Sequence, residues 1–262
     1  MRVFLEEVYR VAVERNRRLE RLLGGVECRG RGGFRRALED GFREHGVGFI
    51  GEFKRCRPGR FVYYRDPRDF VEKIGCSVDA VSVLVEPYWF CGSLELVSFF
   101  AEYKPVLFKD FVVGRGQIMA AACWGASSIL LILDMLGWRL LERLYEEARS
   151  YGLEPFIETS SADDAVAVAE SFPDAIVGIN ARDLRTLKLD FEKLVEEVGR
   201  AAEKLPNGTL LVAESGVKSG WDVARVVKAG AKAVLVGTAV MEKPDIVGEA
   251  YRLLSMGRRE SF

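Results

Sequence analysis

Histidine is almost absent from this chain of 262 residues: His45 stands alone. A multi-histidine zinc or iron centre is therefore excluded, and a Ser-His-Asp triad would have to draw on His45. Acid-base chemistry falls instead to Glu, Asp, Lys or Tyr. The five cysteines, Cys28, Cys56, Cys76, Cys91 and Cys123, are odd in number, widely spaced and free of any C-x-x-C pair. That pattern argues against both a disulfide framework and a metal cluster, and for a reducing compartment. No apolar run reaches the roughly 18 to 20 residues that a membrane span needs. The opening MRVFLEEVYR has no signal-peptide core, so a cytoplasmic protein without a membrane partner is expected. Amides are scarce too, limited to Asn16, Asn180, Asn207 and Gln117, and 27 of the 38 basic residues are Arg. Depletion of thermolabile amides points to a thermophilic source, although a GC-rich genome produces the same bias.

What is present is a well-packed composition, 49% hydrophobic and 29% charged, with 38 basic against 39 acidic residues. Disorder and a strongly basic nucleic-acid grip are both excluded. Eight short apolar or β-branched runs recur along the chain, each bounded by turn residues. GVGFIGEFK ends at Lys54, AVSVLVE at Glu86, KPVLFKDF at Phe111 and SSILLILD at Asp134. EPFIET ends at Thr159, AIVGIN at Asn180, TLLVAES at Ser215 and AVLVGT at Thr238. Segments of helical period lie between them, among them residues 140–152, 191–205 and 221–231, and several run into Gly. Alternating strands and helices mean right-handed βαβ units and a parallel sheet. Beyond a leading segment the spacing is roughly 27 residues per unit, close to the minimum for such a repeat. A closed (β/α)8 TIM barrel over residues 1–262, one domain with an N-terminal helical extension at 1–45, fits better than an open sheet.

The extension differs in character from the rest. It carries 11 Arg against 8 acidic residues, an amphipathic stretch from Phe4 to Leu23, the connection GGVECRGRGG and a second short helical run. An extra helix covering the bottom or side of the barrel is the plainest reading; a lid or an oligomer contact is the alternative.

A barrel of this kind works at the C-terminal ends of its strands, and functional side chains crowd there. Glu52 and Lys54 share a face at the end of strand one. Glu86 ends strand two, Lys109 and Asp110 strand three, Glu158 strand five, Asn180 and Arg182 strand six, Glu214 and Ser215 strand seven. Charged residues at the ends of apolar runs are costly to desolvate unless paired or functional. For any one of them a structural ion pair would suffice as an explanation, but six strands converging with such groups point to a catalytic centre. The turns AESG and VGT after strands seven and eight offer backbone N–H groups and the hydroxyls of Ser215 and Thr238 to a phosphate. EFKRCRPGR adds Lys54, Arg55, Arg57 and Arg60 near the same mouth; it is either a solvated basic loop or one that closes over an anionic substrate about Pro58-Gly59.

The motifs IGEFKRCRPG, SVLVEPYWFCGS, PVLFKDF, PFIET, GINARDLRTLKLD, VAESG and VLVGTAVM, in this order from Ile50 to Met241, resemble those of indole-3-glycerol phosphate synthase. The resemblance implies closure of 1-(2-carboxyphenylamino)-1-deoxyribulose 5-phosphate to indole-3-glycerol phosphate, with loss of carbon dioxide and water. It implies no metal and no organic cofactor. By the same resemblance Lys109 is the general acid and Glu158 the general base, with Lys54 near the substrate carboxylate and able to share in acid catalysis. Glu52, Asn180 and Glu214 orient the substrate and the lysines, and Arg182 is placed to clamp the anthranilate carboxylate. Ser215, Gly216, Gly237 and Thr238 hold the phosphate, while Trp89, Phe90, Phe111 and Leu187 could wall the aromatic ring. The family commonly has K-S-P-S after the lysine matching Lys54; Arg57 stands here for the phosphate-side serine and can supply charged donors. Trp89 replaces a usual Tyr, and Ala181 a frequent small polar residue.

Two other readings share parts of this pattern. A Schiff-base aldolase would use Lys109 or Lys54 as an amine nucleophile. A non-catalytic barrel binding a phosphorylated metabolite would dispense with the acid and base, which are retained here. The expected partner is a small phosphorylated substrate, with no nucleic acid and the chain a monomer or weak homodimer.

Overall fold

The computed structural model describes residues 2–56, 66–75, 77–182, 188–243 and 245–259. Two helices come first, α1 (Arg2–Leu23) and α2 (Phe34–His45), followed by β1 (Gly48–Phe53), α3 (Pro67–Phe70) with a π-helical turn over Val71–Gly75, and β2 (Ala80–Leu84). Then come α4 (Glu95–Ala101), β3 (Val106–Lys109), α5 (Arg115–Cys123), β4 (Ser128–Ile132), α6 (Leu133–Ser150) and β5 (Glu154–Thr159). The second half runs α7 (Ala162–Ser171), β6 (Ile176–Asn180), α8 (Phe191–Ala202), β7 (Leu210–Glu214), α9 (Gly220–Ala229) and β8 (Ala233–Val236), and ends in α10 (Thr238–Glu242) and α11 (Ile246–Arg259).

The eight strands pair in sequence order, all parallel, and β1 closes on β8. The (β/α)8 barrel read from the spacing is thus the observed fold. Strand side chains alternate between two cores, as the pleat requires. Ile50, Ala80, Leu107, Leu130, Ile132, Phe156, Ile176, Leu210, Val212, Ala233 and Leu235 fill the barrel interior, and their neighbours in sequence pack outward against the helices. Helix starts are set locally: Ser161, Asp190 and Ser219 each accept the N–H three residues on, at the heads of α7, α8 and α9. One boundary differs from the sequence reading. β4 stops at Ile132, and Asp134 lies in α6, whose first turn is broken from the rest by Gly137 at φ 65°.

The two leading helices do different work. From α2, Phe34 and Leu38 are wholly buried and join the interior core, stoppering the barrel end opposite the strand C-termini. Burial of each is worth about 1.5–3 kcal/mol. His45 ends this helix and stacks on Tyr251 at 4.2 Å, away from the strand C-termini. By contrast, α1 lies along α5. A β-carbon on Gly114 would meet Asn16 Cγ at 2.7 Å, and one on Gly116 would meet Glu20 N at 2.7 Å, so these glycines let the helix sit close.

The cysteine reading is corrected by the structure. Cys28 is bonded to Cys123, with Cα atoms 4.8 Å apart, and Cys56 to Cys91, with Cα atoms 5.6 Å apart. Their sequence separations of 95 and 35 residues leave no local spacing signal, because the barrel's connectivity creates both proximities. Cysteine usage therefore gives no support for a reducing compartment, and intracellular proteins of hyperthermophiles are themselves disulfide-rich. Among the described residues no helix is long and apolar enough to cross a membrane.

Candidate active site

The strand alternation that buries Ile50, Leu107, Phe156 and Val212 also turns Glu52, Lys109, Glu158 and Glu214, two residues further along each strand, toward the barrel axis at its C-terminal end. There they form one charge cluster. Lys109 Nζ lies 3.2 Å from Glu214 Oε2 and 3.5 Å from Glu52 Oε2, and Lys54 Nζ donates to Glu52 Oε1 at 2.7 Å. Glu214 is fully buried, and the side chains of Lys54 and Lys109 are 13% and 15% exposed.

Such burial would disfavour every charge here were the groups not paired. Burial pushes the Glu52 carboxyl up, but the ammonium groups of Lys54 and Lys109 outweigh it and hold the pKa down to about 2. Burial likewise works against the Lys109 ammonium, yet Glu214, Glu52 and Glu158 raise its pKa well above the usual lysine range. Glu158 goes the other way. Desolvation and the Glu214 charge raise its pKa to about 8, against the opposing pull of Lys109 and a hydrogen bond from Asn180. Glu214 is itself raised by burial, against the opposing pull of Lys109. Glu158 and Glu214 are thus both pushed toward the protonated form, while Glu52 is held as a carboxylate by Lys54 and Lys109.

Beside this cluster opens a cavity of about 350 Å³, lined by Glu52, Lys54, Arg182, Ser215, Gly216 and Gly237 among others. Ser215 and Gly216 are both left-handed, at φ 66° and 80°, which turns the chain sharply after β7. Gly237 is needed for space: a β-carbon there would meet Lys54 Nζ at 2.7 Å and collide with Glu52 Oε1. The turn after β8 therefore stands directly against the Glu52–Lys54 pair, and the turn after β7 lines the same cavity. Asn180 Oδ1 accepts the Arg182 N–H at 2.9 Å, and Arg182 forms a bridge with Leu189 that brings it to the cavity wall.

On the β2 and β3 side, Phe90 and Phe111 stand with ring centroids 6.4 Å apart, while Trp89 packs edge-on with the exposed Tyr88. Glu86 does not join the charge cluster. Its carboxylate turns back to accept the N–H groups of Tyr88, Trp89 and Phe90. Arg57 and Leu187 lie outside the described residues, as does the Pro58-Gly59 turn. Sequence reading missed Lys218 and Lys243, which also line the cavity. It also gave no role to Arg15, whose guanidinium enters the mouth from α1 and pairs with Asp110 and Glu86. A lysine on an amphipathic surface helix and a lysine at a cavity rim look alike in sequence.

A closed parallel barrel with paired lysines and glutamates at its strand C-termini, next to a cavity rich in cationic and N–H donors, has the architecture of a barrel enzyme whose mouth suits an anionic substrate. Solved structures agree on the fold: a mutant tryptophan synthase alpha-subunit from the hyperthermophile Pyrococcus furiosus superposes with a TM-score of 0.55 at 13% identity, covering 79% of this chain and 95% of that one. The chain belongs to the indole-3-glycerol phosphate synthase family, whose pattern it matches over residues 10–253, a family of carboxy-lyases in tryptophan biosynthesis. The indole-3-glycerol phosphate synthase of Aeropyrum pernix is 42% identical over 245 residues, 93% of this chain and 94% of that protein. That of Pyrobaculum neutrophilum is 37% identical over 77% of this chain and 80% of its own length, and that of Shouchella clausii 37% identical over 76% and 78%. Thermophilic hosts are among those of the relatives, in keeping with the amide-poor composition.

Proposed function

We propose that the chain converts 1-(2-carboxyphenylamino)-1-deoxyribulose 5-phosphate to indole-3-glycerol phosphate, with Lys109 as general acid and Glu158 as general base. The observation that carries this is the Lys109 ammonium fixed between Glu52 and Glu214, and the burial that raises the Glu158 carboxyl supports its role as base. As the aromatic carbon that bears the carboxylate attacks the ribulose carbonyl, the carbonyl oxygen gains alkoxide character. An alkoxide is more basic than even a strongly held lysine, so the proton passes from Lys109 to oxygen. Loss of carbon dioxide restores the aromatic ring. The hydroxyl then leaves as water with a proton from a neighbouring ammonium, and Glu158, once ionised, removes the last proton. A carboxylate with a pKa near the working pH is a stronger base than an ordinary Glu.

The remaining assignments follow the shape of the site. Lys54 is held by Glu52 on the cavity side, and Asn180 and Glu214 orient the two catalytic groups. The phosphate takes the turns carrying Ser215, Gly216, Gly237 and Thr238, with Lys54 near. Arg182, on the same wall, supplies a planar donor for the substrate carboxylate. Phe90 and Phe111, whose rings stand 6.4 Å apart, are favoured as the wall for the aromatic ring over Trp89, which packs edge-on with the exposed Tyr88. The raised pKa of Lys109 disfavours a Schiff-base role, which needs the neutral amine.

The test is turnover of the carboxyphenylamino-deoxyribulose phosphate, followed by indole fluorescence at a temperature suited to a thermophile. Appearance of indole-3-glycerol phosphate is expected; folded protein that gives none would overturn the reading. Borohydride trapping of a covalent adduct on Lys109 would overturn the acid role in favour of an aldolase.

A further inference from the structure

Arg15 belongs to α1, outside the barrel, yet its guanidinium bridges the mouth. Its Nη2 donates to Asp110 Oδ2, and its Nη1 stands 3.6 Å from Glu86 Oε1. Both acceptors are almost wholly buried, with side chains 2% and 1% exposed. Each of these carboxylates organises one of the two loops that carry the aromatic wall. Glu86 accepts from the N–H groups of Tyr88, Trp89 and Phe90 at 2.9, 2.6 and 3.2 Å. Asp110 accepts from the Phe111 N–H at 2.8 Å and from Gln117 Nε2 at 3.0 Å; Nε2 also donates to Phe111 O at 2.7 Å, and Gln117 Oε1 accepts the Val113 N–H at 2.9 Å.

We propose that Arg15 is a positioning residue for the substrate's aryl group: it holds the loops after β2 and β3 at the spacing that sets Phe90 beside Phe111. Three features support this. Two buried carboxylates repel unless a cation stands between them. A planar guanidinium can serve both at once, which the compact ammonium of a lysine on its flexible stem cannot do with the same fixed geometry. The helix bearing Arg15 is also seated firmly, by the close approach to Gly114 and Gly116 and by Asn16 Oδ1 accepting the Gln117 N–H at 3.3 Å. The extension is therefore part of the site's wall as well as of the fold. The aryl part of the proposal rests on the substrate reading above.

Arg15→Met and Arg15→Lys in the full chain test it, by steady-state kinetics on the carboxyphenylamino-deoxyribulose phosphate, by inhibition with inorganic phosphate, and by amide hydrogen exchange. With Arg15→Met the KM is expected to rise about tenfold or more, the scale of a lost charged hydrogen bond. The phosphate inhibition constant should hold within about twofold, because its turns lie across the barrel on β7 and β8. Exchange at Phe90 and Phe111 should accelerate, and Arg15→Lys should recover part of the KM. An unchanged KM with only a lower Tm, or a phosphate inhibition weakened in proportion to KM, would sink the proposal. Exchange unchanged at both amides would do so even if the wild-type chain failed to turn over this substrate, a failure that would separately sink the reaction assigned to it.

Discussion

The Glu214 Oε1 atom occupies the space that a β-carbon on Gly178 would need, so the catalytic-end carboxylate of β7 depends on the absence of a side chain on β6. A methyl group there would also meet Phe156 Cε1 at 2.6 Å. Gly178→Ala must displace the carboxylate, because Phe156 is locked in the interior core and cannot give way. Glu214 would then lose its 3.2 Å contact with Lys109. We expect kcat/KM to fall by about tenfold or more, the consequence of a shift of roughly an ångström in a positioned group. A crystal structure and kinetics of Gly178→Ala check this, and activity within twofold of the parent would refute it.

Lys109→Ala and Glu158→Gln should each lower kcat by about 10² or more, the usual scale for positioned acid-base groups. Their effects should combine less than additively, since both act on one proton network. Near-normal kcat in both would leave the family assignment standing and remove the roles given to these two residues.

The pKa of Glu158 gives the pH profile its sign. A base with a pKa raised to about 8 is mostly protonated below that value, so kcat/KM should climb as pH rises through about 8. The Glu158→Gln variant should lose this limb together with most of its rate. Stability runs oppositely. An acid whose pKa is higher in the fold than in the unfolded chain disfavours the fold once ionised, so stability should decline between about pH 4.5 and 8. Glu158→Gln should flatten that decline in a denaturant titration repeated at several pH values; an undiminished slope would contradict the burial argument.

Much of this was legible before any fold was known. Alternation along each strand places Glu52, Lys109, Glu158 and Glu214 on the axis, because a period of two is readable from one chain. The order and closure of the strands followed from the βα spacing. Three things were not legible. Arg15 lies 95 residues before Asp110, on a helix whose direction across the barrel is decided by packing against Gly114 and Gly116. The role of Gly178 depends on the side chain of a neighbouring strand. The cysteine pairs arise from long-range closure, for which composition and C-x-x-C counting have no signal.

The disulfides lead to the last prediction, which separates fold from function. Cys28–Cys123 ties the connection between α1 and α2 to the end of α5, where Gly30 and Arg31 are also hydrogen-bonded to Tyr151 O and Ala126 O. A bridge across 95 residues restricts the unfolded chain by roughly 4–5 kcal/mol in the chain-entropy account. Replacing both cysteines by serine should therefore lower Tm by roughly 10 °C, at about 2–4 °C per kcal/mol for a chain of this size, with kcat little changed. Cys56–Cys91 instead joins the segment after Lys54 to the loop bearing Trp89 and Phe90. Its double serine variant should raise KM as well as lower Tm, because one of its ends lies two residues from Lys54 and the other adjoins the aromatic wall. Thiol counting under non-reducing denaturation, calorimetry and kinetics on the two variants decide the matter. Free thiols at Cys28 and Cys123 in the native protein, or equal kinetic effects from both variants, would refute this division of roles.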